Sequence, residues 1–531
     1  MTKTDALEAA RRWLAAEPDA DIRGELHTLI DGDPDDLSER FDGRLQFGTA
    51  GLRAAVGAGP LRMNRLVVQQ AAAGLAQYLL DTDPRAADRG VVIGFDARRK
   101  SDVFASDTAR VMAAYGIRSM LFDQYVPTPV LAWSITELDA AAGVVVTASH
   151  NPPADNGYKV YLGDGAQIVP PHDSGIAARI DQVDPTQVRL AEEGHELITT
   201  VGDELFDAYV AAIPAVRRRP DVAGPKVAYS AMHGVGGATV LRAFEAAGLP
   251  TPIPVEAQFE PDGTFPTVSF PNPEEPGAMD LLLETARTTG AEVAIANDPD
   301  ADRLAAAIPQ PDGSWRRLGG DEIGWLFADY LLGHGDGDDR LVVTTLVSSS
   351  LLAKIAASHG VHSVETFTGF KWIARAVLDR PELSFVMGYE QALGYLVADQ
   401  PLDKDGISAA VLFAEMAGVA AADGRTMQEW LDDIALRFGR HVLADASVRM
   451  SPDDAAAKVA ALRADPPSSI GGRTVVSTAE YPEADLLRFE LEGGVRVQIR
   501  PSGTEPKVKL YGEAVDEDPA PFVEALVGLL T

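Results

Sequence analysis

Short apolar runs alternate along the chain with stretches whose apolar positions recur at helical spacing, a pattern that predicts parallel α/β units. In the first unit, Val91-Val92-Ile93-Gly94-Phe95 reads as a buried strand, and Val103 to Tyr115 reads as a helix marked by Phe104, Val111 and Met112. Gly143-Val144-Val145-Val146 is a second buried-strand segment of that region. The next unit opens with Val227-Ala228-Tyr229, passes through helices at Thr239 to Ala247 and Met279 to Thr288, and returns as strand Val293-Ala294-Ile295-Ala296. A third repeats the scheme with strand Leu341 to Thr345, helix Leu351 to Ala357, strand Phe385 to Met387 and helix Ser408 to Ala417. The C-terminal part differs in kind. Val495, Val497 and Ile499 alternate there with Arg496, Gln498 and Arg500, the period of a half-buried antiparallel strand, and a helix from Phe522 to Leu530 would cover that sheet.

The pattern predicts an α/β protein of four domains: three similar mixed α/β domains over 1–205, 206–315 and 316–428, and a C-terminal α+β domain with an antiparallel sheet over 429–531. The length of 531 residues agrees, since about 150 residues make a domain. Apolar residues at 46% and charged residues at 24% give a globular composition, which excludes long disorder. The net charge of −33 repels DNA, RNA and anionic lipid, so neither nucleic acid nor membrane is expected as partner. An anionic small substrate must therefore meet a local cluster of Lys and Arg. The chain has no cysteine, which excludes disulfides, thiolate metal sites and a catalytic thiol. Met1 to Ala16 is charged and amphipathic, unlike a secretion signal, and no apolar run reaches a membrane-spanning length. The expected location is the cytoplasm.

Candidate chemistry gathers in five loops. Thr147-Ala148-Ser149-His150-Asn151-Pro152-Pro153 leaves the Val144 strand at its carboxyl end, where open α/β sheets bind ligands. Ser149 is there a candidate nucleophile or phosphate carrier with His150 beside it, although Ser, Asn and Pro also suit a plain turn. No Gly-x-Ser-x-Gly elbow is present, which argues against an α/β-hydrolase. Asp155-Asn156-Gly157-Tyr158-Lys159 adds a cation just downstream.

Asp298-Pro299-Asp300-Ala301-Asp302-Arg303 follows the Val293 strand. Three carboxylates at alternate positions can converge on one centre, where their repulsion calls for a cation. Oxygen-only ligands favour Mg²⁺ over Zn²⁺. An EF-hand is excluded by Arg303 and Pro309 at its glycine and glutamate positions, and a solvated acidic turn is the plainer alternative.

Thr366-Phe367-Thr368-Gly369-Phe370-Lys371 joins a small-residue turn to a helix beginning near Trp372, a weak anion site in which Thr368, Gly369 and Lys371 are the contacts. Gly388-Tyr389-Glu390-Gln391-Ala392-Leu393-Gly394, with Asp403-Lys404-Asp405-Gly406 downstream, offers Glu390 to paired sugar hydroxyls, or is a turn. Arg500-Pro501-Ser502-Gly503-Thr504-Glu505-Pro506-Lys507 combines two cations, two hydroxyls and a glycine, the elements of a phosphate cradle.

Taken in order, these segments resemble the α-D-phosphohexomutase superfamily, the phosphoglucomutases and phosphomannomutases, from Phe47-Gly48-Thr49-Ala50-Gly51-Leu52-Arg53 to Lys507. The resemblance implies four domains around a central cleft and an enzyme phosphorylated on Ser149. It also implies Mg²⁺ held by Asp298, Asp300, Asp302 and a phosphoserine oxygen. Phosphate then passes to a sugar monophosphate, giving a sugar 1,6-bisphosphate that returns its other phosphate to Ser149, with glucose 1,6-bisphosphate as activator. The net reaction moves phosphate between C1 and C6 of glucose or mannose.

Arg303 would neutralise charge on the transferring group, and His150 or Lys159, with Lys159 preferred, would move the hydroxyl proton. Substrate contacts are implied at Arg53, Thr368, Gly369, Lys371, Glu390, Gln391, Lys404, Arg500, Ser502, Gly503, Thr504 and Lys507. Gln391 and Ala392 follow Glu390 where the usual sugar loop has an acid and Ser. That departure is similar to the branch containing phosphopentomutases and broad-specificity phosphoglucomutases, so a pentose phosphate and bisphosphate synthesis stay open. Two rivals also stay open: a haloacid-dehalogenase-type enzyme with Asp298 as nucleophile, and a non-catalytic sugar-phosphate sensor. The sequence leaves the oligomeric state open.

Overall fold

Val91–Phe95 is buried along its whole length, as a strand covered on both faces by helices must be, and it is the axis of the first sheet. A computed structural model describes residues 2–32, 34–501 and 507–530. The chain divides into two units, one running up to Leu318 and taking in Leu393–Val419, the other formed by Gly319–Ala392 and Ala420 onward.

The N-terminal unit holds two sheets. In the first, Val91–Phe95 pairs in parallel with Ser119–Phe122 and Ala142–Val146, and Ser119–Phe122 with Ile198–Val201. Asp155–Leu162 turns back antiparallel on Ala142–Val146, and Leu52–Ala55 pairs antiparallel with it in turn, so the sheet is mixed. Helices Arg65–Thr82 and Ser101–Ala114 bury Leu75, Leu79, Phe104 and Met112 in its core. A Cβ at Gly94 would overlap Val126 and Leu131, so the smallest residue admits that close packing. In the second sheet Val227–Ser230 lies parallel to Val293–Ala296 and Ile253–Pro254, and Ala305–Pro309 returns antiparallel.

The helix Gly406–Ala422 is apolar all round and wholly buried over 406–420, the signature of a helix in a core and not on a surface. Its Glu415 takes Arg217 at 2.6 Å, both nearly inaccessible, and Asp405 at its start accepts from Tyr209 at 2.8 Å. These contacts hold Leu393–Val419 in the N-terminal unit.

In the other unit Arg340–Thr345 pairs in parallel with His362–Thr366 and Ser384–Glu390. The C-terminal sheet is antiparallel throughout, in the order His441–Arg449, Lys507–Val515, Val495–Pro501, Leu486–Leu491, Arg473–Tyr481, Ser469–Ile470. Helix Ala520–Gly528 packs Phe522, Val523 and Leu526 onto the face carrying Val495, Val497 and Ile499.

The half-buried reading of that strand needs correction, because Arg496 and Gln498 are buried too. The polar face is covered by the Leu346–Ser348 loop. Arg496 donates to the Ser348 carbonyl at 2.6 Å, and Gln498 and Arg488 donate to that of Leu346 at 2.7 and 2.8 Å. No single helix among the described residues is long and apolar enough to cross a membrane.

Candidate active site

Two buried strands of the N-terminal unit end in the loops that carry its chemistry. Ala142–Val146 leads into Thr147 and Ser149, and Ser149 sits in the left-handed region at φ 53° with its N–H on Thr147 Oγ1 at 2.8 Å. Asp155–Leu162 returns beside that strand with Lys159 opposite Val145, so strand register places the lysine at the loop's base. Val293–Ala296 leads into Asp298-Pro299-Asp300-Ala301-Asp302, turned by Ala301 at φ 58°. Ser149 Oγ donates to Asp298 Oδ2 at 2.9 Å and lies 3.1 Å from His150 Nδ1.

Asp298, Asp300 and Asp302 are buried and offer ligand oxygens within 4.8 Å of one another. Lys159 Nζ bonds Asp300 Oδ2 at 2.7 Å and Asp302 Oδ2 at 2.9 Å, and Lys404 Nζ stands 3.3 Å from the latter. Arg303 Nε lies 3.8 Å from Asp302 Oδ1 and 4.0 Å from Asp298 Oδ2. Burial and the charges of Asp300 and Asp302 push the Asp298 carboxyl well above the usual carboxylate range. Burial acts the same way on Asp300 and Asp302, but Lys159 outweighs it and holds both below that range, with help from Lys404 and Arg303 at Asp302.

Asp300 Oδ1 and Asp302 Oδ1 are buried and accept no hydrogen bond from any described residue. Buried acceptors left without donors are costly. An all-oxygen, triply acidic set with open acceptors fits a hard divalent cation.

Burial lowers Lys159, yet Asp300 and Asp302 more than offset it and raise the ammonium above the ordinary lysine value. His150 moves the other way: burial, then the cations Arg303 and Arg53, put it well below the ordinary histidine value. These directions favour the charged form of Lys159 and the neutral form of His150. Arg53 is exposed on the flank and donates to Asn151 Oδ1 at 3.0 Å.

Lys404, expected on substrate, instead pairs with Asp302 and Asp403, and Asp403 is itself fixed by Tyr161 and Gln167 at 2.7 Å. Thr128 escaped the sequence reading. Its hydroxyl donates to Asp300 Oδ2 at 2.7 Å and its N–H to the Asp300 carbonyl at 2.9 Å. A neutral residue between two prolines carries no chemical signal of its own.

In the other unit Glu390 ends its strand and accepts the Gly369 N–H on Oε1 at 2.7 Å, where Gly369 at φ 113° opens the helix Phe370–Leu378. Thr368 Oγ1 is buried with no described hydrogen-bond partner, and Lys371 lies in the first helical turn. Gln391 Oε1 accepts Ser348 Oγ at 2.9 Å, which engages its carbonyl inside the fold. Arg500 and Glu390 both act electrostatically on Tyr511, whose hydroxyl burial raises above the ordinary value, and sequence reasoning missed this tyrosine. Lys507 opens its strand opposite Arg449. Ser502, Gly503 and Thr504 lie outside the described residues.

Models of the phosphoglucomutase/phosphomannomutase family match in order: α/β/α domain I over 44–187, domain II over 207–313, domain III over 319–438 and the C-terminal domain over 446–520. The chain belongs to this family. A "probable phosphomannomutase" of Haemophilus influenzae is 44% identical over 86% of this chain and 94% of its own length. A "probable phosphoribomutase" of Schizosaccharomyces pombe is 37% identical over 95% and 93%. A solved structure, of a putative phosphomannomutase from Thermus thermophilus, shows the same fold with a TM-score of 0.73 at 24% identity, covering 92% of this chain and 99% of that one.

Membership places the chain among the isomerases, the intramolecular phosphotransferases. It also removes the haloacid-dehalogenase alternative. The four-domain α/β reading with an antiparallel C-terminal sheet holds.

Proposed function

We propose that the protein moves a phosphoryl group between C1 and C6 of glucose or mannose phosphates, with Ser149 as carrier and a sugar 1,6-bisphosphate as intermediate. The observation that carries this reading is Ser149 Oγ at 2.9 Å from Asp298, in a cluster of three buried acids. Asp298, Asp300 and Asp302, with a phosphoserine oxygen, would hold Mg²⁺, which supplies neutralisation of the charge spread over a transferring phosphoryl group. The chain's own residues do the rest.

In the forward direction the sugar 6-hydroxyl oxygen bonds to phosphorus as the P–Oγ bond of phospho-Ser149 breaks. Neutral His150 takes the hydroxyl proton and returns it to Ser149 Oγ, 3.1 Å from its Nδ1. Arg303 and the charged Lys159 offset the local negative charge. After the bisphosphate turns over, Ser149 takes the phosphate from C1 and the 6-phosphate leaves. Uncatalysed cleavage of phosphate monoesters is slow enough for enhancements near ~10²¹, so excluding water protects the intermediate. In the other unit we assign Thr368, Gly369, Lys371 and Glu390 to the sugar, and Arg500, Lys507 and the Ser502–Thr504 segment to the phosphate that is not transferred.

A second reading, ribose 1-phosphate to 5-phosphate, is favoured by Gln391 and Ala392 in place of the usual acid and Ser, and by the internal use of the Gln391 carbonyl. The test is turnover of glucose, mannose, glucosamine and ribose 1-phosphates with Mg²⁺, each with and without the matching bisphosphate, together with mapping of the acid-stable phosphate. Glucose or mannose 1-phosphate should be fastest, the bisphosphate should activate, and phosphate should lie on Ser149. A faster ribose 1-phosphate selects the second reading, and parent-level turnover in Ser149→Ala overturns both.

A further inference from the structure

Ser149 occupies a backbone conformation that a serine rarely adopts, with φ 53°. Such a residue persists only where its surroundings over-determine it. The surroundings here converge on one side chain. Arg98 is 3% exposed, and its two terminal nitrogens each donate to two carbonyls of the serine loop. Nη2 reaches the carbonyls of Ser149 and Asn151, both at 2.6 Å. Nη1 reaches those of Pro152 at 2.8 Å and Asp155 at 3.1 Å.

Those four bonds use all four terminal N–H donors of the guanidinium. The remaining nitrogen, Nε, is ion-paired with Asp96 Oδ2 at 3.2 Å without hydrogen-bond geometry, and Asp96 Oδ1 is fixed by Ser101 Oγ at 2.7 Å and by the Arg98 backbone N–H at 3.0 Å. The Phe265 ring lies 5.0 Å from the guanidinium carbon, a cation–π contact. A Cβ at Gly263 would overlap the Arg98 backbone, so that neighbouring loop closes tightly over it.

We infer that Arg98 is the positioning residue that sets the backbone of the Ser149 loop, and through it the direction of the serine oxygen. The Pro152 carbonyl also accepts the Asp155 N–H at 3.0 Å, but the Ser149 and Asn151 carbonyls take no backbone donor among the described residues, and only a planar multi-donor cation can serve all four together. Lysine keeps the charge opposite Asp96 but offers one nitrogen, so it cannot span the four carbonyls. The role rests on Ser149 being the phosphoryl carrier, whereas the grip on the loop does not.

The experiment compares full-length parent, Arg98→Lys, Asp96→Asn and the charge-neutral double variant Asp96→Asn with Arg98→Gln. For each, amide hydrogen exchange of the 148–155 segment is measured beside melting temperature. Also measured are kcat and KM for glucose 1-phosphate with glucose 1,6-bisphosphate and Mg²⁺. Arg98→Lys should melt near the parent yet exchange this segment at least about tenfold faster. Its kcat should fall about a hundredfold while KM moves less than about threefold, the pattern of a misplaced reacting group. Asp96→Asn should keep loop protection and most of kcat, and the double variant should behave like Arg98→Lys.

Parent-like exchange and kcat in Arg98→Lys overturn the inference, as does a kcat loss in Asp96→Asn equal to that in Arg98→Lys. Should Arg98→Lys fail to fold, the double variant decides by the same measurements. Faster loop exchange in the variants, with no phosphate ever found on parental Ser149, upholds the grip while overturning the carrier reading.

Discussion

Each unit buries a cluster of acids, and the two clusters are satisfied differently. In the C-terminal unit Glu513 accepts from Ser349 Oγ at 2.6 Å, from His441 Nδ1 at 2.7 Å, from the Ser350 N–H and, on its other oxygen, from Arg496 at 2.6 Å. Burial works against its charge, but His441, Arg496 and Ser349 outweigh burial and hold it at about 2. In the N-terminal unit Asp300 and Asp302 each keep a buried oxygen with no described donor, and Asp298 is driven upward by burial and then by its acidic neighbours. A buried carboxylate with both oxygens served by donors holds elements together. One left short beside like charges, even with Lys159 against it, keeps an acceptor open to a further cation.

The largest effect expected from this contrast is in Asp298→Asn. Turnover should fall about a thousandfold, as when one preorganised electrostatic partner is lost. Melting under chelation should come no lower than the parent's, because burial and its acidic neighbours already favour the neutral form of Asp298, which an amide matches in charge. Lower melting under chelation would mean that the acidic cluster also holds the fold.

Glu513→Gln should do the reverse. It removes the nearest carboxylate of the buried Arg496 guanidinium, leaving the Ser348 carbonyl and Glu365 at 3.5 Å, and should cost about 3 kcal/mol of stability, read from the urea midpoint, while Ser149 still takes up phosphate. An unchanged midpoint would remove the structural role of that network.

The most gradual effect concerns Asp321, which accepts the Ser349 N–H at 2.7 Å and the Tyr389 hydroxyl at 2.8 Å. Burial raises its carboxyl from 3.8 to about 7. Between those values the folded form binds a proton that the unfolded chain releases, so this group's contribution is full in acid and is lost as pH rises towards 7. The slope is at most about 1.4 kcal/mol per pH unit. Asp321→Asn should flatten it, measured as the difference in melting temperature between parent and variant across pH 4 to 7. An identical pH dependence would show that Asp321 ionises normally.

Much of the fold was legible because period is a local property. Val91–Phe95 and Val293–Ala296 coincide with the runs that announce them, and the other predicted strands and helices shift at their ends. The acidic loop was legible for a similar reason: three aspartates at alternate positions after a strand leave few arrangements other than convergence. Thr128, Arg98 and Tyr511 were not legible. Thr128 meets Asp300 across 172 positions of chain, and Arg98 meets Ser149 across 51. Nothing in their own neighbourhoods announces the partner.

The chain's pattern by itself determined the four α/β and α+β regions, the strand ends at Ser149 and Asp298, and the acidic triplet, because periodicity and loop composition act over a few residues. Tertiary structure alone decided that Lys404 sits on Asp302, that Arg496 and Gln498 are covered, and that the Lys159 ammonium is pushed up while His150 is pushed down. Burial and the charges of distant segments govern these outcomes, and both exist only once the chain has folded.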